Sequence, residues 1–325
     1  MGNPPTHPRS RALGLMVLLA LLPTSLLGCR SPSVDTVALR IAVLPVIETL
    51  PLYIAEAEGY FAGEDLEVDL IPVGSAAERD QLLQAGQIDG MITDLIALIL
   101  YNQAGLPVQA VRYAMVPTPD APQFRVVASS HSGITTPAGL KEIPVGISEG
   151  TVIDYVTRRL LEASGLEPGE ITTIAVPRMA ERMALLDTGG LAAATLPEPL
   201  GSLALLQGAV PIVDDTTHPI WSCSLYAFRG EVLELQPEAV AKFVRAIDGA
   251  VAAIHADPEL GAAPAAEQQL VPTDLLDTYR LPDFPAGAVA TAAQFDDALL
   301  WLMETGRVDA PITYSECITD VYVRE

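Results

Sequence analysis

The sequence predicts an α/β protein of two lobes, the second inserted into the first, and three observations carry that expectation. Short apolar runs alternate with helical patterns of about ten residues, which is the signature of parallel-sheet α/β units rather than of a β-sandwich. The alternation breaks at Val116-Pro117-Thr118-Pro119-Asp120-Ala121-Pro122, where three prolines fall within seven positions, and then restarts. A second crossing at 214–221 precedes a change to mostly helical character. These breaks assign 38–118 and 224–325 to lobe 1 and 119–223 to lobe 2. Each lobe is expected to hold a mixed, mostly parallel sheet flanked by helices. The cleft between them would face the strand carboxyl ends, where open α/β sheets receive ligands.

In lobe 1 the reading is a strand at 39–44, a helix at 49–58 that Gly59 ends, a strand at 67–73 and a helix at 76–84. A strand at 88–92, a helix at 95–103 closed by Gly105 and Pro107, and a strand at 108–115 follow. Lobe 2 reads as strands at 124–128, 143–147, 171–176, 192–196 and 210–213, with helices at 152–163, 179–187 and 200–206. In the first of these helices Val152, Val156 and Leu160 recur every fourth position with Ile153 beside them, giving one apolar face, and Gly165 lies just past its end. After a strand at 225–228, Pro237 opens a long helix over 237–257, in which Val240, Phe243, Val244, Ile247, Val251 and Ile254 share a face. Two more helices are expected at 273–279 and 292–304.

The amino terminus reads as an export leader. Arg9 and Arg11 precede an apolar run over 12–22, and Leu26-Leu27-Gly28-Cys29 closes it. A stable membrane-spanning helix takes about 20 apolar residues, so the run is short for one. The tetrapeptide resembles the lipobox of bacterial lipoproteins, which implies acylation of Cys29, removal of residues 1–28 and a membrane anchor through the lipid. Residues 29–37 read as a tether. The expected location is extracytoplasmic.

Forty-one acidic residues against 18 basic ones give a formal net charge of −23, a surface that repels nucleic acid and anionic lipid. Half of the residues are hydrophobic, enough for a packed core. With Cys29 lipidated, Cys223 and Cys317 remain in a compartment that permits disulfides. A bridge and two buried free thiols are both open, because sequence does not supply the geometry. Neither cysteine has metal-ligand spacing, so no metal site is expected.

Particular residues also carry a family resemblance. Tyr53-Ile54-Ala55-Glu56-Ala57-Glu58-Gly59-Tyr60-Phe61 followed by Asp65-Leu66-Glu67-Val68 is similar to the amino-terminal signature of ABC-transporter solute-binding proteins. The group in question serves nitrate, sulfonates, taurine and thiamine-type pyrimidines. Gly74-Ser75-Ala76, Leu82-Leu83-Gln84-Ala85-Gly86-Gln87-Ile88-Asp89, Thr93-Asp94, Ile143-Pro144-Val145-Gly146-Ile147-Ser148, Leu196-Pro197-Glu198-Pro199 and Pro237-Glu238-Ala239-Val240 keep the register over nearly all of the mature chain. The resemblance implies the type II periplasmic-binding-protein fold, closure on a captured solute, and a permease with ATPase subunits as partners.

The positions expected to line the cleft are the turns after the strands. Helix starts there present unpaired N–H groups. They give Thr49, Gly74 with Ser75, and Ser148, Glu149, Gly150 and Thr151. Ser75 with Glu78 and Thr151 with Asp154 also have the form of capping boxes, which need no ligand. Glu48, Thr93, Asp94 and Glu198 stand near strand ends, Tyr53 could stack on a planar ligand, and Trp221 follows the second crossing. Converging carboxylates favour a neutral or donor-rich solute such as a pyrimidine, flavin or amine over a sulfonate or nitrate, which are the alternative.

A third possibility is a sensory lipoprotein on the same fold, and a fourth is an enzyme. A related fold serves a pyrimidine synthase in which a lysine holds pyridoxal phosphate. Here the two lysines, Lys141 and Lys242, lie away from the strand ends of the amino-terminal lobe, and His131, His218 and His255 are scattered. No nucleophile is assembled with a base, so neither catalysis nor a cofactor is expected.

Overall fold

Two five-stranded sheets, joined by two chain crossings at one end of each, organise the protein. The computed structural model describes Gly2 and residues 37–323. Gly2 apart, the expected leader, Cys29 and the tether up to residue 36 lie outside the described residues.

The first sheet is built from β1 (Val37–Val43), β2 (Leu66–Pro72), β3 (Gly90–Thr93), β4 (Val108–Met115) and, after a long excursion, β10 (Ser224–Arg229). Its order is β2-β1-β3-β10-β4. Pairs β1–β2 and β1–β3 are parallel, while β10 runs antiparallel to β3 and β4. The second sheet contains β5 (Phe124–Ala128), β6 (Val145–Ile147), β7 (Thr173–Ala175), β8 (Ala193–Pro197) and β9 (Val210–Asp214), in the order β7-β6-β8-β5-β9. Here β6 pairs in parallel with β7 and β8, and β5 is the antiparallel member between β8 and β9. Phe124, the first residue of β5, faces Pro197, the last of β8, and Ser224 at the start of β10 faces Met115 at the end of β4. The carboxyl ends of the parallel strands in both sheets therefore meet the two crossings.

The helices are α1 (Leu50–Ala57), α2 (Tyr60–Gly63), α3 (Ala76–Gln84), α4 (Leu95–Gln103), α5 (Val152–Ala163), α6 (Met179–Asp187), α7 (Leu200–Leu206), α8 (Gly230–Leu235), α9 (Pro237–Ala256), α10 (Ala262–Glu267), α11 (Ala292–Glu304) and α12 (Tyr314–Cys317). Between α1 and α2 the chain reverses at Gly59, whose φ of +76° is strained for a residue with a Cβ. Ser75, Asp94, Thr151 and Thr291 cap α3, α4, α5 and α11 by accepting backbone N–H groups.

Three buried clusters form the core. One lies beneath α1 and α9, where Val240, Phe243, Val244, Ile247, Val251 and Ile254 meet Leu39, Ile41 and Phe228. Another covers the outer face of the second sheet with Leu186, Leu196 and Ala204. The remaining one spans both sheets: α4 and α5 share it with Phe295, Ala298, Trp301 and Leu302 of α11. Tyr155 meets Trp301 edge-on at 5.4 Å. Tyr155 Oη and Arg159 Nε both donate to Asp297 Oδ2, at 2.5 and 3.0 Å. Helix α11 is thus a brace between the bodies.

One expectation is corrected and one open alternative is decided. The segment read as a helix over 273–279 holds a single 3-10 turn, Thr273–Leu275, because so short a piece has little helical stability alone and Leu275 and Phe284 anchor it to the core instead. Cys223 and Cys317 are free and buried. Ile318 bridges Ala110 at one end of β4, whereas Ser224 faces Met115 at the other. The five residue steps of strand from Ala110 to Met115 extend about 16 Å, against roughly 4–7 Å between the Cα atoms of a disulfide.

Candidate functional site

Where the crossings meet the first sheet, short polar side chains are packed below the surface. Glu48 stands in the 3-10 turn Ile47–Thr49 that follows β1. Its Oε1 accepts from Ser224 Oγ at 3.0 Å, and Ser224 Oγ accepts from Gln123 Nε2 at 2.6 Å. Thr93 at the end of β3 is buried, and its hydroxyl has no partner among the described residues; the same holds for Gln123 Oε1 and Tyr226 Oη. Asp94 accepts the Ala97 N–H at 2.9 Å, and Cys223 lies within its electrostatic reach.

Burial sets the electrostatics. Loss of hydration raises the carboxyls of Glu48 and Asp94 above the usual carboxylate range, and the negative charge of Asp94 adds to the rise at Glu48. Hydrogen bonds from Ser224 to Glu48 and from Ala97 to Asp94 oppose the rise. The Cys223 thiol is raised by burial and by Asp94, so it carries no thiolate character.

The crossings are tied to each other by Asp215. Its Oδ1 accepts the backbone N–H of Gln123 at 2.9 Å, and its Oδ2 accepts the Phe124 N–H at 3.0 Å and Ser222 Oγ at 2.5 Å. Burial pushes this carboxyl up to about 6. At the second sheet, Glu198 Oε1 accepts from Arg125 Nε at 2.5 Å and Glu198 Oε2 from Ser202 Oγ at 2.7 Å, while Arg125 Nη1 holds Asp214 at 3.1 Å. Tyr279 lies within electrostatic reach of Glu48, Glu198 and Arg125, so it stands between the two bodies. Leu203 of α7 packs against the first-sheet cluster on that side.

The residues expected from sequence divide accordingly. Glu48, Thr93 and Asp94 are brought together. Thr49 is fully buried and donates to Val46 O at 2.6 Å. Tyr53 packs half-buried on the first cluster. Ser75 caps α3 through the Glu78 N–H at 3.1 Å, and the Glu78 carboxylate holds the Gly74 N–H at 2.7 Å. On the other body, Ser148 Oγ accepts from Arg182 Nη2 at 2.5 Å, and Thr151 Oγ1 donates to Ser148 O at 2.7 Å. Gly150 donates to Asp154 Oδ2 at 3.0 Å, and Glu149 faces Arg307 at 3.6 Å. Glu198 is paired as described. Trp221 stacks on His218 with centroids 4.4 Å apart.

Gln123, Ser224 and Asp215 escaped the sequence reading. Gln123 follows a proline-rich loop, and Asp215 is one of 41 acidic residues. Among the described residues no group of three or more His, Cys, Asp or Glu side chains could hold a metal ion, and no helix is long and apolar enough to cross a membrane. A groove of about 260 Å³ runs along the edge strand β9, lined by Arg125, Ile212, Asp214 and Thr217, outside this cluster.

Comparison with known proteins agrees with the architecture. The ligand-binding component of an ABC-type import system from Staphylococcus aureus, solved with zinc bound, superposes with a TM-score of 0.74 at 14% identity, covering 88% of this chain and 98% of that one. The periplasmic aliphatic sulphonate binding protein SsuA from Escherichia coli gives a TM-score of 0.71 at 22% identity, covering 85% and 95%. These likenesses establish the two-sheet periplasmic-binding-protein fold. The curated 4-amino-5-hydroxymethyl-2-methylpyrimidine phosphate synthase THI11 of Saccharomyces cerevisiae is 23% identical over 242 residues, 70% of this chain and 69% of its own. The family model described as NMT1/THI5 like matches residues 47–260, more than half of the sequence, and the chain therefore belongs to the NMT1/THI5-like family.

Proposed function

We propose that this chain is the extracytoplasmic solute-binding receptor of an ABC importer, anchored through a lipid on Cys29, which captures a small molecule between its two bodies and delivers it to a permease with ATPase subunits. The observation that carries the reading is the polar cluster of half-buried Glu48 and Asp94 with Thr93 and Gln123, whose buried hydroxyl and side-chain carbonyl have no partner among the described residues, placed where strand ends meet the crossings. Buried polar atoms without partners are costly, and a solute that supplies the missing bonds recovers that cost. Open α/β sheets take their ligands at this place.

The chemistry of the cluster favours an uncharged, donor-bearing solute of the pyrimidine, flavin or amine kind. Glu48, Asp94 and the Gln123 carbonyl offer acceptors, and the nearby Arg79 and Arg125 are engaged by Asp80 and by Glu198 with Asp214. A sulfonate or nitrate would face carboxyls instead of free cations.

The placement of the two lysines supports the receptor reading over a synthase that holds pyridoxal phosphate on a lysine. Lys141 pairs with Glu170 at 2.5 Å near the start of β6, and Lys242 on α9 donates to Asp65 O at 3.4 Å. Neither adjoins the cluster, so this chain has no lysine there to hold pyridoxal phosphate.

A thermal-shift and calorimetric panel on the mature chain tests the reading. The panel contains 4-amino-5-hydroxymethyl-2-methylpyrimidine, riboflavin, taurine and nitrate. Binding by the folded state alone adds about 2.7 kcal/mol of stability at a hundredfold excess over Kd, so a ligand raises Tm by several degrees. Tight binding of taurine or nitrate with none for the rings would overturn the ligand class. Turnover of a bound ring would overturn the receptor assignment.

A further inference from the structure

We infer that Gln123, a residue of the first crossing, is the specificity-determining contact of the solute site: its side-chain carbonyl accepts a hydrogen bond from an N–H or O–H donor of an uncharged solute. The inference rests on the receptor reading and names the residue that enforces its ligand class.

Three bonds fix Gln123 in place. Its backbone N–H is held by Asp215 of the second crossing at 2.9 Å, and its backbone carbonyl accepts the Glu198 N–H from the end of β8, also at 2.9 Å. Its amide nitrogen donates to Ser224 at 2.6 Å. The residue is 3% exposed, and Oε1 has no partner among the described residues. An amide whose nitrogen is committed in this way presents its oxygen in one orientation. That oxygen is a preorganised acceptor, whose unpaired burial makes a correctly placed donor favourable.

The direction of the bonds decides what it selects. Gln123 donates to Ser224, and Ser224 spends its single proton on Glu48, so the relay ends on a carboxyl and leaves Gln123 with an acceptor. An anionic oxygen placed here would meet the Gln123 carbonyl and Glu48 together, two acceptors without a proton between them. A ring amine or amide N–H is complementary. Thr93 is paired with Leu225, the neighbour of Ser224, and its unpartnered hydroxyl supplies a second contact beside the first. Because the backbone of Gln123 is bonded to both Asp215 and Glu198, a solute held by this amide is bonded to the crossing that joins the sheets.

Two probes and one substitution test the assignment. Calorimetry compares 4-amino-5-hydroxymethyl-2-methylpyrimidine with 5-hydroxymethyl-2-methylpyrimidine, which lacks the exocyclic donor, on the wild type and on Gln123→Met. The wild type is expected to favour the amino ring by about 10- to 100-fold, and Gln123→Met to lose that preference while still binding the ring weakly. Gln123→Leu serves as a second apolar variant should Met disturb folding, which far-UV circular dichroism monitors. A variant that keeps the full preference for the amino ring overturns this inference and leaves the receptor reading standing. A wild type that binds taurine or nitrate and neither ring, or that binds both rings equally, overturns the inference; the first of these also removes the ligand class proposed above.

Discussion

The carboxylate of Asp215 accepts the backbone N–H of Gln123 at 2.9 Å across 92 positions of sequence, so one crossing between the sheets grips the other. Removing Asp215 from water while giving it N–H and O–H donors produces a buried acid that still titrates near pH 6.

That acid makes stability depend on pH in a definite direction. Its folded value of about 6 lies above its ordinary 3.8, so the folded state binds more protons between those limits and loses stability as pH rises through them. The difference in unfolding free energy between wild type and Asp215→Asn should fall by about 2 kcal/mol from pH 4 to pH 6.5 and change little above that. Urea denaturation at stepped pH measures it. A difference that does not change with pH would show that Asp215 ionises freely in the fold.

Helix α11 should prove a brace by a single substitution. Asp297 accepts from both Tyr155 and Arg159 while partly exposed, at 27% of its side chain. Solvent screening reduces what such a pair contributes, so Asp297→Ala is expected to cost about 1–2 kcal/mol, with Asp297→Asn milder because it retains one acceptor. Equilibrium denaturation checks both. An unchanged midpoint for Asp297→Ala would mean that apolar contacts alone hold α5 to α11.

The two thiols of a chain lacking Cys29 should be unreactive towards Ellman's reagent while the protein is folded, and both should react after unfolding. Burial raises the Cys317 thiol to about 12 and Cys223 higher still, which removes the nucleophilic thiolate. Peptide mapping without reductant is expected to find each cysteine alone. A bridge between positions 223 and 317 would contradict the separation along β4.

Much of this architecture is legible in the sequence because its signals are local. The apolar face of Val152, Val156 and Leu160 lies within one segment, and α3, α4, α5 and α11 start at the local caps Ser75, Asp94, Thr151 and Thr291. The single 3-10 turn at Thr273–Leu275 was not legible, since Leu275 and Tyr279 stand four apart, a spacing compatible with a helix until tertiary anchoring decides otherwise. Strand direction was hidden for the same reason: nothing local marks β5 and β10 as the antiparallel members. At the candidate site, Glu48, Thr93 and Asp94 could be placed at strand ends, whereas Gln123 and Ser224 matter through partners 101 positions apart. Ser75 and Thr151 show the opposite limit, where a helix start that looks ready for a ligand is occupied by its own cap.

The brace formed by α11 has a consequence for the order in which the core can close. Tyr155 of α5 and its apolar neighbours are covered by Trp301 and Leu302, residues far along the chain. Burial of that apolar face therefore waits on a contact between segments about 146 positions apart, so this part of the core closes only when the carboxyl-terminal helix is in place.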